Sequence, residues 1–404
     1  MNEENVRNKI IALSGEPVSG KGTTVKRIIE KLKQQGYTEE QIHLESTGND
    51  FRRYFNSLID LITNLDNKEK LDEIHERKEL RDFFGNEEYR KILAQTIVKL
   101  KQKNIDLTHF TINEANNSEE FKEVRKIVDT LIDEGMANKG KEINSESHPE
   151  EIWIIDSRLA FHNIPEAFSV RLTTNADVAG ERLFNDNSRG KEDKYSNVEE
   201  AKKEREMRRI GENERYKKRY GVDLTDDGNY DLIIDTSYST VEDIANTILQ
   251  CSEYYEKGKD FSKKWASPKT LLPSQNELQT LGTSSQTGLN FQDMLDSISK
   301  NGYLLNSGIR VVKVDNMNYI SDGHHRNFAA AYLGKTLVPY EVIEKYDELH
   351  NTERKPKIRT TIGMLVGHEW LIEKGDTKPF SYKNMYPQFW EKLEKEENRE
   401  MSID

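Results

Sequence analysis

"KIIALSGEPVSGKGTTVKRIIEKLKQQG" (Lys9–Gly36) decides the fold. Its first seven residues are an apolar run that ends in glycine, which suits a buried strand. Its last fourteen place Val25, Ile28, Ile29 and Leu32 on one helical face, with Gly36 as the C-terminal stop. Between them lies "GEPVSGKGTT" (Gly15–Thr24). Glycines let a backbone turn so tightly that several N–H groups point at one anion, and the following helix adds its positive end. In this pattern Gly15, Gly20 and Gly22 shape the turn, Lys21 bridges phosphates, and the Thr23 or Thr24 hydroxyl serves Mg²⁺. The common pattern has Ser or Thr just after the lysine; here Gly22 intervenes.

Further short apolar runs are "IHLES" (Ile42–Ser46), "IWIIDS" (Ile152–Ser157), "FSVRLTT" (Phe168–Thr174) and "DLIID" (Asp231–Asp235). Helical patterns separate them, so the spacing predicts an α/β fold with a five-stranded parallel sheet. Ser239 and Glu242 form a capping box that opens a helix through about Tyr255. Residues 53–141 read as a polar helical insertion, and 187–219 as a second charged helical segment. "EKGKDFSKKWASPKT" (Glu256–Thr270) breaks the pattern and is taken as a boundary. The expected organisation is residues 1–257, a smaller α+β domain over 268–350, and a tail over 351–404 packed on it. In the second domain "FQDMLDSISKNG" reads as a helix and "IRVVKVDNMNYIS" as two strands around Asp315–Asn316. "RNFAAAYLG" reads as a helix ending at Gly334, and "LVPYEVI" as a strand.

A formal charge of -12 over 404 residues disfavours a bulk electrostatic grip on DNA. One cysteine, Cys251, excludes an internal disulfide and a cysteine zinc site, and fits a cytoplasmic setting. No apolar run approaches the roughly 20 residues of a membrane span.

"GKGT" is the form seen in nucleoside monophosphate kinases, and here the chain resembles the cytidylate kinases, particularly the short archaeal-type ones. The resemblance covers roughly residues 9–55 and 120–250. "STGNDFRR" (Ser46–Arg53) resembles that family's acceptor-phosphate motif, which implies that Arg52 contacts the acceptor. "IIDSR" (Ile154–Arg158) resembles its strand-end motif, which implies Asp156 near Mg²⁺ and Arg158 on the acceptor. "ERL…SRGK" and "ENERYKKRYGVDL" resemble its lid, which implies that Arg189, Arg208 and Arg215 meet phosphate. The resemblance thus implies a P-loop kinase that uses ATP and Mg²⁺ to phosphorylate a pyrimidine nucleoside monophosphate or related nucleotide. Val18 and Ser157 stand where the family has glycine, and the helical insertion is longer than the family's.

"SDGHHRNFAAAYLG" (Ser321–Gly334) gathers Asp322, Gly323, His324, His325 and Arg326 at a helix start. Arg326 suits a phosphate, and either histidine suits proton transfer near neutral pH. Adjacent histidines on a helix point about 100° apart, so one metal would not take both. The segment from about Lys269 to Ile343 resembles the ParB/sulfiredoxin-like fold. His324 stands where sulfiredoxins need cysteine, so that activity is not expected. "DGHHR" resembles the branch with free serine kinases, which implies that Asp322, Gly323, His324, His325 and Arg326 bind a second nucleotide, with His324 catalytic and Glu277 a candidate base. Two rivals stay open. The kinase half could act on a modified (hydroxymethyl) pyrimidine nucleotide in DNA with the second domain as clamp. Alternatively, the second domain could phosphorylate serine or a similar hydroxyl.

Overall fold

The computed structural model describes residues 8–63, 78, 81, 84–103, 118–186, 195–273, 290–314 and 317–345. The expected tail, Arg189 and Glu277 lie outside the described residues. The chain opens with β1 (Lys9–Gly15), α1 (Lys21–Gln34), β2 (Ile42–Ser46), α2 (Thr47–Thr63), α3 (Glu87–Gln102) and α4 (Lys122–Ile143). Next come β3 (Ile152–Asp156), α5 (Ala160–Asn163), β4 (Phe168–Thr173), α6 (Ala176–Phe184), α7 (Val198–Tyr220), β5 (Leu232–Asp235) and α8 (Val241–Glu256). Then follow β6 (Lys264–Ala266), β7 (Leu271–Leu272), α9 (Phe291–Asn301), β8 (Ile309–Val314), β9 (Met317–Asp322), α10 (His324–Tyr332) and β10 (Val338–Lys345). The fold is α/β, with strands paired in both senses.

Two compact units emerge: Met1–Ala12 with His43–Ala167, and Leu13–Ile42 with Phe168–Asp404. In the first unit, β2 and β3 are neighbours. His43 meets Glu151 at their starts and Ser46 meets Asp156 at their ends, so they run in the same direction. The insertion has its own core: Phe55, Leu58 and Ile62 of α2 pack with Leu93, Ile97 and Leu100 of α3 and Val124 and Val128 of α4. The far end of α4 turns Met136 and Ile143 onto a second core with Ile10, Ile155 and Ile164. One long helix thus anchors the insertion to the strands, because burying a second apolar face fixes its direction.

The second unit holds a mixed sheet. β4 pairs with β5, and β5 with β6, in parallel. β6 pairs antiparallel with β10, β10 runs parallel to β8, β8 antiparallel to β9, and β9 parallel to β7. Glu256–Thr270, expected to break the pattern, therefore contains a sheet strand. Trp265 is buried there, and Lys264 is paired with Asp227 at 2.6 Å. Two lysines before the two buried strand residues, Trp265 and Ala266, hide so short a strand from a periodicity reading. The expected capping box at Ser239 does not form, and the helix is capped one residue later by Thr240 alone. The Thr240 hydroxyl accepts from Asp243 N, while Ser239 Oγ donates to Thr336 O at 2.9 Å and Glu242 pairs with Arg27. Among the described residues no helix is long and apolar enough to cross a membrane.

Candidate functional site

The Gly15–Thr24 loop links β1 to α1 within the second unit. Gly20 is left-handed (φ 80°) and caps α1 from the backbone alone; no side chain caps that end and its first turn holds no acid. A first turn left open in this way presents backbone N–H groups and a partial positive charge. A Cβ at Gly20 or Gly22 would meet nothing within 4 Å, so the turn is open on that side. On the other side it is crowded: a Cβ at Gly15 would lie 2.6 Å from Ser19 Oγ. That hydroxyl is buried without a hydrogen-bond partner. Thr24 is buried with its hydroxyl donating to Gly20 O, whereas Thr23 is exposed and Lys21 half-buried. An uncapped, glycine-lined turn with an exposed hydroxyl fits a polyphosphate and its Mg²⁺.

Three arginines brace the loop from behind. Arg205 of α7, 3% exposed, donates to Glu16 Oε2 (2.6 Å), Pro17 O (3.3 Å) and Thr174 O (3.1 Å). Arg171 of β4 donates to Glu16 Oε1 at 3.0 Å and to Asp227 at 3.3 Å. Arg182 of α6 donates to Thr236 O (2.6 Å), Ser237 O (3.3 Å) and Val18 O (3.4 Å). Burial lowers the Arg182 pKa, and nearby Asp235 works against that. Thr236 Oγ1 closes the ring on Ser19 O at 2.9 Å. Val18 adopts a left-handed φ of 66°, a strained conformation for a β-branched residue, and these bonds hold it there.

Asp235 ends β5 beside this brace. Burial pushes its carboxyl pKa up, while Ser237, donating through N and Oγ, pulls it down. Sequence reading did not single out Glu16, Arg171, Arg182 or Asp235: Glu16 and Arg182 stood inside quoted motifs whose other residues drew the roles, and Arg171 and Asp235 stood in apolar strand runs.

Of the expected lid arginines, Arg208 and Arg215 lie on α7. Arg208 is about half exposed and bonds Glu212 at 3.1 Å. Arg215 lies 5.0 Å from the Tyr216 ring centroid.

The first unit holds Asp156, expected near Mg²⁺, and the expected acceptor residues Arg52 and Arg158. Asp156 ends β3 and accepts from Ser46 Oγ at 3.1 Å, and its carbonyl accepts from Thr47 Oγ1. Arg158 follows two residues on and is half-buried; Arg52 falls on α2.

The second cluster sits where β9 meets α10. Gly323 (φ 100°) caps α10 from the backbone. Arg326 donates to Ser307 O (3.1 Å), Ser307 Oγ (2.6 Å) and Asp322 Oδ2 (3.3 Å). His324 is buried, and burial, then His325, lower its pKa to about 4 against the pull of Asp322. At neutral pH it is an uncharged imidazole. His325 is half-buried. Asn327 is buried and donates to Pro268 O at 3.1 Å.

A strand, a glycine–lysine turn and an open helix end are the marks of an α/β protein that presents its backbone to an anion. No family model matches the chain. A cytidylate kinase from Methanocella arvoryzae is 31% identical over 129 residues, 32% of this chain and 68% of that protein. Through those residues the chain belongs to the cytidylate kinase family. An S-adenosylmethionine-dependent nucleotide dehydratase from Lacinutrix mariniflava is 34% identical over 118 residues, 29% of this chain; the chain spans only 23% of that protein's length. An uncharacterized protein from Eubacterium ventriosum superposes with a TM-score of 0.33 and 14% identity, over 61% of this chain and 99% of its own.

Proposed function

We propose that the chain is an ATP-dependent phosphotransferase acting on a pyrimidine nucleoside monophosphate or a related nucleotide. The observation that carries this reading is the Gly15–Thr24 loop: an uncapped helix end, open over Gly20 and Gly22 and braced from behind by Arg171, Arg182 and Arg205. The 31% identity with a cytidylate kinase supports it, and so does the likeness to a second nucleotide-handling protein.

In this reading an oxygen of the acceptor's phosphate attacks the γ-phosphorus of ATP. The bond from that phosphorus to the β-bridging oxygen breaks, and ADP leaves. Such a transfer asks the protein for alignment and charge neutralisation rather than covalent chemistry. Lys21 and the loop N–H groups hold the donor phosphates, and Arg52 and Arg158 hold the acceptor's. Arg189, Arg208 and Arg215 of the lid meet the transferring group, which requires Arg208 to give up Glu212. Thr23 and Asp156 would hold Mg²⁺, which when bound neutralises phosphate charge.

The second cluster enters this reading as a nucleotide contact through Asp322, Gly323, His324, His325 and Arg326. For that role Arg326 must exchange Ser307 for a phosphate. Its present bonds favour a regulatory contact over a second transfer site.

The test is product analysis after incubation with labelled ATP, Mg²⁺, a panel of monophosphates, L-serine and hydroxymethylated DNA. A labelled pyrimidine diphosphate that disappears in Lys21→Ala is expected. Label in phosphoserine that survives Lys21→Ala but not His324→Ala would move the chemistry to the second cluster. Label in DNA would favour the modified-base reading, and label in none of these would overturn the phosphotransferase reading.

A further inference from the structure

At the end of β2 and β3 remote from Ser46 and Asp156, the first unit gathers a second polar group. One ligand-capable atom each from His148, Glu150 and Glu151 all lie within 4.8 Å of one another. Ligand atoms about 2.0–2.2 Å from a tetrahedral zinc ion sit roughly 3.5 Å apart, so small rotations of the two carboxylates close the gap.

The surroundings resemble those of a built site. His43 at the start of β2 lies 2.9 Å from Glu151 Oε2, and its ring stacks on Trp153 with centroids 4.1 Å apart. A histidine fixed in this way orients the carboxylate it holds, as outer partners do around bound metals. The loop is fixed too. Asn8, just before β1, accepts from His148 N at 2.6 Å and donates to Glu146 O at 2.7 Å and to Ile143 O. Lys139 is engaged by Glu142 (3.1 Å), Glu45 (3.9 Å) and the Trp153 ring (5.1 Å).

We propose that His148, Glu150 and Glu151 bind a divalent transition ion of the zinc class, with His43 as the positioning partner of Glu151. Two carboxylates balance the charge of the ion. The imidazole selects a borderline ion over Mg²⁺, which prefers oxygen alone. The ion would pin the segment that enters β3, and His43 ties that segment to the start of β2 through Glu151. It sits at the strand starts, whereas Asp156 lies at the end of β3, so the role is structural. The inference is independent of the kinase reading.

Titration of the untagged full chain with Zn²⁺ against a chromogenic chelator tests it. One tight equivalent is expected, insensitive to excess Mg²⁺. It should be lost in His148→Ala and in Glu150→Gln, and weakened roughly tenfold or more in His43→Ala. Zn²⁺ should also raise the melting temperature of the parent but not of His148→Ala. Zn²⁺ uptake that is absent, or unchanged in His148→Ala, would overturn the site and leave an ordinary surface ion pair.

Discussion

At Gly20 and again at Gly323 the chain passes through a left-handed glycine into a helix that no side chain caps and whose first turn holds no acid. The two turns differ in where their cations go. Around Gly20, Arg171, Arg182 and Arg205 come from distant elements and grip the back of the loop, through Glu16 and the Pro17 and Val18 carbonyls. On the open face Thr23 is exposed and the helix end carries no side-chain cap. Around Gly323 the one arginine of the motif is spent on Ser307 and Asp322, and the first helical residue, His324, is buried. The same backbone device thus stands in two different surroundings: one is braced by arginines from elsewhere with its mouth open, the other is tied down by the arginine of its own helix.

The largest effect should come from the brace. Arg205→Ala leaves Glu16 with half its partners in a nearly enclosed position, and should cost about 3–5 kcal/mol of stability in chemical denaturation. A loss below about 1 kcal/mol, the range of surface pairs, would break the comparison. Lys21→Ala should keep the fold and lower nucleotide phosphorylation about 10²–10³-fold, the usual effect of removing one group that stabilises transferring charge. Equal loss in Arg326→Ala would show that both turns serve the chemistry.

His324 sharpens the contrast through pH. Its folded pKa is depressed to about 4 from 6.5, so as pH falls the unfolded chain takes the proton first. The stabilisation is therefore whole above about pH 6.5 and declines toward pH 4, by up to about 3 kcal/mol. Denaturation midpoints across that range should show the slope, and His324→Gln should flatten it. The smallest effect belongs to Gly323→Ala. A side chain at φ 100° whose Cβ lies 3.0 Å from Arg326 Nη2 should cost about 1–2 kcal/mol. Thermal melts that match the parent would mean that the turn relaxes.

The sequence made the local elements readable because each depends on neighbours within a few residues. The apolar runs of β1 to β5, the antiparallel pair β8 and β9, and the helix stops at Gly36 and Gly334 are found where the patterns put them, while the turn expected at Asp315–Asn316 lies outside the described residues. The brace was not readable, since Arg171 and Arg205 reach Glu16 across 155 and 189 residues, and no local pattern marks such a bond. A charged helix such as α7 looks the same in sequence whether an arginine is buried, like Arg205, or in solvent, like Arg208. Lys21, Thr23 and the glycines stood out because a phosphate loop is contiguous. Asp235 looked like the end of a strand, and only burial distinguishes it.

β6 is three residues long and hydrogen-bonds to β5 on one side and β10 on the other. A chain cut before Lys264 would leave β5 without that neighbour, its N–H and C=O groups offered as a template for other chains to add strands. Fragments ending near residue 257 should therefore be prone to aggregate, and their insolubility would say nothing about whether the glycine–lysine loop can work alone.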